Sequence, residues 1–480
     1  MKNLLLLLFA LGLTWVSQAN NISITNVSLT GQNISAGANN GANFTQIQFT
    51  VSWDNSHRLG FGPANWDAAW IFFKYRVNGG AWSRASLSNT GHVAPTGSTI
   101  STGLLNMGAF YNISSNPGVG IFIHRSATGT GTFTCTNTQV RWNYGSNGVA
   151  DNAVVEIQAH ATEMVYVPQA AFNVGGGGGT NSFSSTTIST ATSTTAPTGT
   201  GILGGATGGF PSGQTAPGSA SWPNGFNAYY AMKYEISQQQ YVDFLNSLTT
   251  SQATLRFNGV SALYRYGISV SAGVYTTSLP NVAAGYLSWA DLAAYLDWSG
   301  LRPLTDMEFE KTCRGNLPAV AGEYAWGTTT ISGATGISNS GLVNEIASNS
   351  GANAAYNNVA GVAGPMRVGC FAGATTTRAQ AGATYYGAME MSGNLWERAI
   401  NLSSTDGKAF TGNHGDGNLA TTGDHNVSSW PSSTSTNGVR LKGGSFSNAS
   451  NFLNISDRTD FGDAANRSFN AGGRGGRTAP

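Results

Sequence analysis

The sequence has 480 residues, only 9% of them charged, with 23 Lys and Arg against 22 Asp and Glu and a formal net charge of +1. Ordinary globular proteins carry about a quarter charged residues. No basic stripe is present to release counterions from a phosphate backbone, which excludes nucleic acid as a partner, and near-zero net charge favours association over dispersal. An apolar content of 40% with 12 tryptophans is ample for packed cores, so general disorder is excluded as well.

Residues 1–19 combine Lys2, an apolar run from Leu4 to Val16 and the small-residue exit Ser17-Gln18-Ala19. This is the pattern of a secretory signal peptide, and no later stretch is long and apolar enough for a transmembrane helix. The expected location is therefore extracellular, either secreted or held at the cell surface.

Residues 20–162 carry the period of strands. Ile47, Phe49, Val51 and Trp53 alternate with polar neighbours, which marks a sheet with one buried face. Trp70 to Tyr75 is almost continuously apolar and predicts a central strand covered on both faces. Val119 to Ile123 and Val154 to Ile157 repeat the pattern, with turns such as Asn78-Gly79-Gly80 between them. An N-terminal all-β sandwich is the economical reading. His57, His92, His124 and His160 are scattered along it rather than spaced as metal ligands.

Residues 163–480 read as a second, α+β domain. Glu163 to Val174 is strand-like with an interruption at Pro168, and a Gly/Ser/Thr-rich tract at 175–221 predicts a mobile loop or tether. Ser237 with Gln240 forms a capping box ahead of Tyr241, Phe244, Leu245 and Leu248 on one helical face. Ser288 with Asp291 opens a second helix that stops at Gly300, and Thr305 with Glu308 opens a third that ends at Gly315. Beyond it regular periodicity fades.

Within that irregular part, Gly387 to Ile400 (GAMEMSGNLWERAI) sets the turn formers Gly393 and Asn394 ahead of Trp396 and Glu397. Glu390, Glu397 and the carbonyls of Gly393 and Leu395 form an oxygen donor set of the kind calcium prefers. The alternative is a structural turn that anchors a core tryptophan. A second cluster, His414, Asp416, Asp424 and His425, offers two imidazoles and two carboxylates to a transition metal or calcium, against the plainer reading of loop turns. The chain has three cysteines; export permits one bridge, and Cys313–Cys370 is the expected pair because both lie in the C-terminal half.

The segments Val165-Tyr166-Val167-Pro168, Tyr234-Glu235-Ile236-Ser237, Trp289 to Gly315, MSGNLWER from Met391, LKGGSF from Leu441 and Gly473-Arg474 follow one another in the order of a known family's motifs. On these residues the C-terminal part resembles the formylglycine-generating enzyme, or sulfatase-modifying factor, family. The resemblance implies a C-type-lectin-like fold with much irregular structure, and it places a calcium site at Glu390, Gly393, Leu395 and Glu397. It also implies a pair of copper-binding cysteines after the GGSF motif, where this chain has Asn448 and Leu453. Neither supplies the thiolate that Cu(I) requires, so no copper and no formylglycine formation are expected. The reading that follows is a secreted, non-catalytic surface protein. It would bind itself, other surface proteins or glycans, or assemble into an extracellular layer or filament. The alternatives are a metal-dependent oxidoreductase and a monomeric glycan- or peptide-binding module.

Overall fold

The computed structural model describes residues 21–105, 117–179, 182–183, 185–191, 221–259, 263–373, 375–458 and 466–480. The leader read in residues 1–19 lies outside them.

The first eight strands are β1 (Ser23–Asn33), β2 (Phe44–Arg58), β3 (Asp67–Val77), β4 (Ser83–Arg84), β5 (Ser98–Leu104), β6 (Gly118–Arg125), β7 (Gly129–Trp142) and β8 (Val155–Val167). β1, β2 and β7 form an antiparallel three-stranded sheet. β8, β3, β6 and β5 lie side by side in a larger one, with β4 paired to β3. Strand β2 alternates buried and half-buried positions along its first ten residues, so Ile47, Phe49, Val51 and Trp53 face inward. They meet Ala69, Ile71 and Phe73 of β3 and Ile121 and Ile123 of β6 in one apolar core.

β3 behaves differently because both of its faces are covered: Asp67 to Tyr75 are all buried. The other face turns Ala68, Trp70 and Phe72 towards Phe244, Tyr295, Leu296 and Trp298 of the C-terminal part. Three layers result, with the larger sheet in the middle. The continuous apolar run from Trp70 to Tyr75 reflects that double cover.

The C-terminal part begins with β9 (Phe172–Val174), β10 (Thr186–Ile188) and β11 (Tyr229–Met232). Helices α1 (Gln238–Asn246) and α2 (Thr250–Arg256) precede the hairpin of β12 (Ile268–Ser271) and β13 (Val274–Thr277). Then come α3 (Trp289–Trp298), β14 (Arg302–Pro303) and α4 (Asp306–Arg314), followed by β15 (Ile337–Ser338) and β16 (Ile346–Ala347). The chain finishes with β17 (Trp396–Ile400), α5 (Thr405–Lys408), β18 (Val439–Lys442), β19 (Ala471–Gly472) and β20 (Gly475–Thr478). The protein is thus mostly β with few helices. The capping boxes at Ser237, Ser288 and Thr305 form as their sequences predict. A further box, Thr249 with Gln252, starts α2, whose sequence TSQATLR has no apolar stripe to announce it.

The two parts share one sheet. β8 pairs with β3 from Val155 to Val165 and with β11 from Met164 to Val167, so the strand order runs β14-β20-β11-β8-β3-β6-β5. Residue 163, where the sequence divides by composition, lies inside β8. Polar bonds cross the same seam. Trp70 Nε1 donates to Ser299 O at 2.8 Å, and Lys233 Nζ lies 3.1 Å from Asp67 Oδ2 and 3.0 Å from Glu163 Oε2.

The expected tether is not loose where it begins. The amide of Gly175 donates to Glu310 Oε2 at 2.7 Å. A Cβ on Gly177 would come within 2.7 Å of Ser456 Oγ and 2.8 Å of an Arg314 guanidinium nitrogen. Glycines occur here because the backbone threads through a buried polar network, and that network satisfies it. Residues 192–220 of the tract lie outside the described set.

A shared sheet predicts shared unfolding. Trp70→Ala, at the seam, should cost about 3–5 kcal/mol. Urea denaturation followed by circular dichroism and by fluorescence should show one coincident transition in wild type and variant; two separate transitions would refute the coupling.

Candidate functional site

The turn ahead of β17 is built from residues in left-handed backbone: Glu390 has φ +56°, Gly393 +100° and Asn394 +63°. A Cβ at Gly393 would lie 2.5 Å from Ala355 O, so only glycine fits. Asn394 is fully buried and every polar group on it is used. Its N–H donates to Ala355 O at 3.0 Å, and its Oδ1 accepts from the Met366 amide at 2.7 Å. Its carbonyl accepts from Phe446 N at 2.8 Å, and its Nδ2 donates to Glu235 Oε2. Leu395 N donates to the other Glu235 oxygen at 2.9 Å. One asparagine therefore pins four distant segments, while Trp396 is buried edge-on to Phe452.

Three buried carboxylates, Glu235, Glu390 and Glu397, gather there, and the cation they face is Arg474. Its Nε and Nη2 donate to the two oxygens of Glu397 at 2.6 and 2.7 Å. Its remaining donors reach Met232 O at 3.0 Å and Met389 O at 2.7 Å. Of the donor set expected for calcium, Glu397 has both oxygens engaged by this guanidinium. Glu390 is apart from the pair: Oε1 accepts from Gly369 N at 2.9 Å, and Oε2 is buried with no hydrogen-bond partner. Burial pushes its carboxyl up to about 7, against the opposing pull of the Gly369 amide, Arg474 and Arg367.

The second expected cluster does not come together. His414 is buried, and its Nε2 accepts from Thr478 N at 3.0 Å. Burial, with Arg477 and Arg302 nearby, pushes its imidazole well below the ordinary value, which keeps it a neutral acceptor. Asp416 donates its amide to Asp297 Oδ1 at 2.9 Å, Asp424 pairs with Arg256 at 3.2 Å, and His425 Nε2 bonds Pro431 O at 3.1 Å. Each group thus has a partner of its own, while Nδ1 of both imidazoles is buried without one. Among the described residues no set of three or more His, Cys, Asp and Glu side chains is placed to hold a metal.

The expected Cys313–Cys370 bridge is absent: Cys313 and Cys370 are free and buried, as is Cys135. Cys313 packs in one core against Met391, and Cys370 belongs to another with Met366 and Phe371. Burial raises both thiols well above their ordinary value, so neither is a ready thiolate. At the positions of the family's copper ligands, Asn448 Oδ1 accepts from Ser445 Oγ, and Leu453 is fully buried against Gly393 and Gly444. Trp430 is 5% exposed and packs on His425.

Two features were not foreseen. A cavity of about 370 Å³, lined by His57, Lys233, Tyr234 and Arg367, opens where the N-terminal strands meet the C-terminal part. The charges are also distributed unevenly. More than half of the charged side chains are buried, chiefly in ion pairs such as Arg302–Glu308, Arg314–Glu323 and Arg458–Asp306. Among the described residues only Glu156 and Asp406 carry a charge at an exposed position, and Glu156 is paired with Arg76.

The fold and site together define a mostly β scaffold whose irregular part is held by buried turns and ion pairs. Residues 158–475 match the model of the sulfatase-modifying factor enzyme 1-like domain, and the chain belongs to that family. Among solved structures, Treponema denticola variable protein 1 is 13% identical, with 67% of this chain and 96% of that chain covered and a TM-score of 0.35. PvdO from Pseudomonas aeruginosa is 16% identical, with 66% and 95% covered and a TM-score of 0.32. No curated protein matches the chain.

Three outcomes follow. A carboxyl whose value in the folded protein is raised from 4.5 to about 7 favours the fold at low pH, and that advantage is lost as pH rises between those values. Glu390→Gln should therefore gain on wild type in urea stability from pH 5 to pH 7, whereas a constant difference would show that Glu390 does not titrate there. Arg474→Met leaves Glu397 buried without its partner and should cost about 3–5 kcal/mol. Wild-type melting should be unmoved by a calcium chelator; a fall of several degrees would restore calcium to the turn.

Proposed function

We propose that the protein is a secreted surface component in which the sulfatase-modifying-factor scaffold and an N-terminal β-sandwich serve for binding and self-assembly, without catalysis, in an extracellular layer or filament. The observation that carries this reading is the scarcity of exposed charge. A surface of Asn, Ser, Thr and Gly with isolated charged groups has little long-range repulsion between copies, so short-range contacts decide whether they associate. Asn448 and Leu453 add to it, since an amide and a buried alkyl group supply no copper-binding thiolate at the family's oxidation centre. The leader-like residues 1–19 support export, which brings the neutral surface into contact with other copies outside the cell.

Nothing in the placement of His414, Asp416, Asp424 and His425 favours the metal-dependent alternative, because each is engaged separately. Assembly is tested by size exclusion and negative-stain imaging of the protein in its native medium. Layers, filaments or large oligomers are expected, and a monomer at all concentrations would overturn the assembly reading. Incubated with copper and a cysteine peptide, the purified protein should yield no aldehyde; aldehyde formation would overturn the non-catalytic one.

A further inference from the structure

Tyr264 and Arg265 adopt consecutive left-handed conformations, φ +51° and +61°. For a bulky residue this is an outlier, costing on the order of 1–3 kcal/mol, and such strain persists only where the surroundings impose it. Here they do. The Arg265 guanidinium is clamped by Glu345 and by Pro365 O at 2.6 Å, and a Cβ at Gly364 would lie 2.6 Å from Tyr264 O. The consequence is an aromatic ring held 40% exposed, stacked on Phe469 with centroids 4.3 Å apart and planes 23° from parallel. Phe446, with centroids 6.1 Å from Tyr264 and 5.9 Å from Phe469, completes the support from beneath.

Phe446, one of the two rings supporting Tyr264, lies two residues before Asn448. That rim is made of neutral polar groups. Asn470 Nδ2 donates to Ser447 Oγ at 3.0 Å, and Asn448 Oδ1 is held by Ser445 Oγ, which leaves the Asn448 amide nitrogen as a donor. Asn357 and Asn358, both exposed and both in left-handed backbone, are fixed alongside by their own N–H bonds to Asn448 O and Phe446 O, each 2.7 Å. The nearest charge in the segment, Arg265, is turned away onto Glu345.

A rigid exposed aromatic plane bordered by amides and hydroxyls, with no charged group among the described residues turned towards it, matches one ligand chemistry. Aromatic faces pack on the C–H face of a sugar ring, while side-chain amides bond its hydroxyls in pairs. We propose that Tyr264, on its Phe446–Phe469 base, and the amides of Asn448 and Asn357 form a binding site for a neutral hexose unit of a glycan. This rests on the non-catalytic reading of the scaffold and names its ligand class.

The test is a titration of the full-length protein with soluble neutral oligosaccharides of glucose, mannose, galactose and N-acetylglucosamine, and with an acidic uronate oligomer. At least one neutral series should bind. Tyr264→Ala and Asn448→Ala should each weaken it about tenfold. Tyr264→Gly should lose binding while melting no lower than wild type, because glycine relieves the left-handed strain. Phe61→Ala, which truncates an 82% exposed ring elsewhere, should bind as wild type. No binding of any neutral sugar, binding of the uronate alone, or neutral binding unchanged in Tyr264→Ala would each overturn the proposal. Imaging and the cysteine-peptide assay on the same preparation separate its failure from failure of the broader reading, since neither depends on Tyr264.

Discussion

The C-terminal part depends on one buried guanidinium. Arg474 engages both oxygens of Glu397 on β17 and also the carbonyls of Met232 at the end of β11 and Met389 ahead of the turn. Arg474, β11 and the Met389–Glu397 stretch are far apart in sequence and share little regular structure, so apolar contact alone would leave their relative placement loose. A planar cation with donors fixed in direction ties them at defined angles. A buried pair of this kind contributes little to net stability compared with apolar packing, because desolvation opposes the attraction. Its effect is geometric, since removing either partner strands a charge in the interior.

The same economy extends through the chain. With so few charged residues, spending most of them inside leaves the outside nearly neutral, and the two facts have one cause. Irregular loops cannot satisfy their own backbone groups as helices and sheets do, so buried Arg and Lys side chains bond carbonyls instead. Lys311 reaches Pro168 O at 2.8 Å, Lys442 reaches Ile455 O at 2.8 Å, and Lys74 reaches Trp298 O at 2.8 Å. Lys74 and Lys311 are each pushed down to about 7 by burial, which records how fully water is excluded around them. The charges that would ordinarily keep a surface repulsive serve here as substitutes for missing secondary structure.

How much of this was legible depends on the range of the signal. Strands β2 and β3 were readable because period 2 and a continuous apolar run are local consequences of one-sided and two-sided burial. Three of the helices announced themselves through capping boxes, in which both partners lie three residues apart; α2 has the box but no apolar face. The shared strand was not readable, since β8 looks the same whether its last residues pair with β3 or β11. Glycines 175–179 misled for a related reason. Local composition cannot distinguish a glycine used for freedom from one used for close approach, and Ser456 and Arg314 come from elsewhere in the chain. The acidic residues of the turn were found, but the partner that decides their chemistry, Arg474, lies 77 residues beyond Glu397.

The segment after the GGSF motif keeps a fixed frame around two differing positions. The GGSF motif keeps its place: Gly443 and Gly444 take left-handed backbone, and the carbonyl of Gly443 accepts from Gly393 of the turn at 2.8 Å. What differs is the pair of positions after it. Leu453 fills the space against those glycines and joins the core, while Asn448 bonds Ser445 at the rim. A thiolate at Leu453 would be a charge in an apolar cluster, tolerable only with a metal beside it. Leucine at that position is stable on packing alone, and the neighbouring rim is polar and neutral.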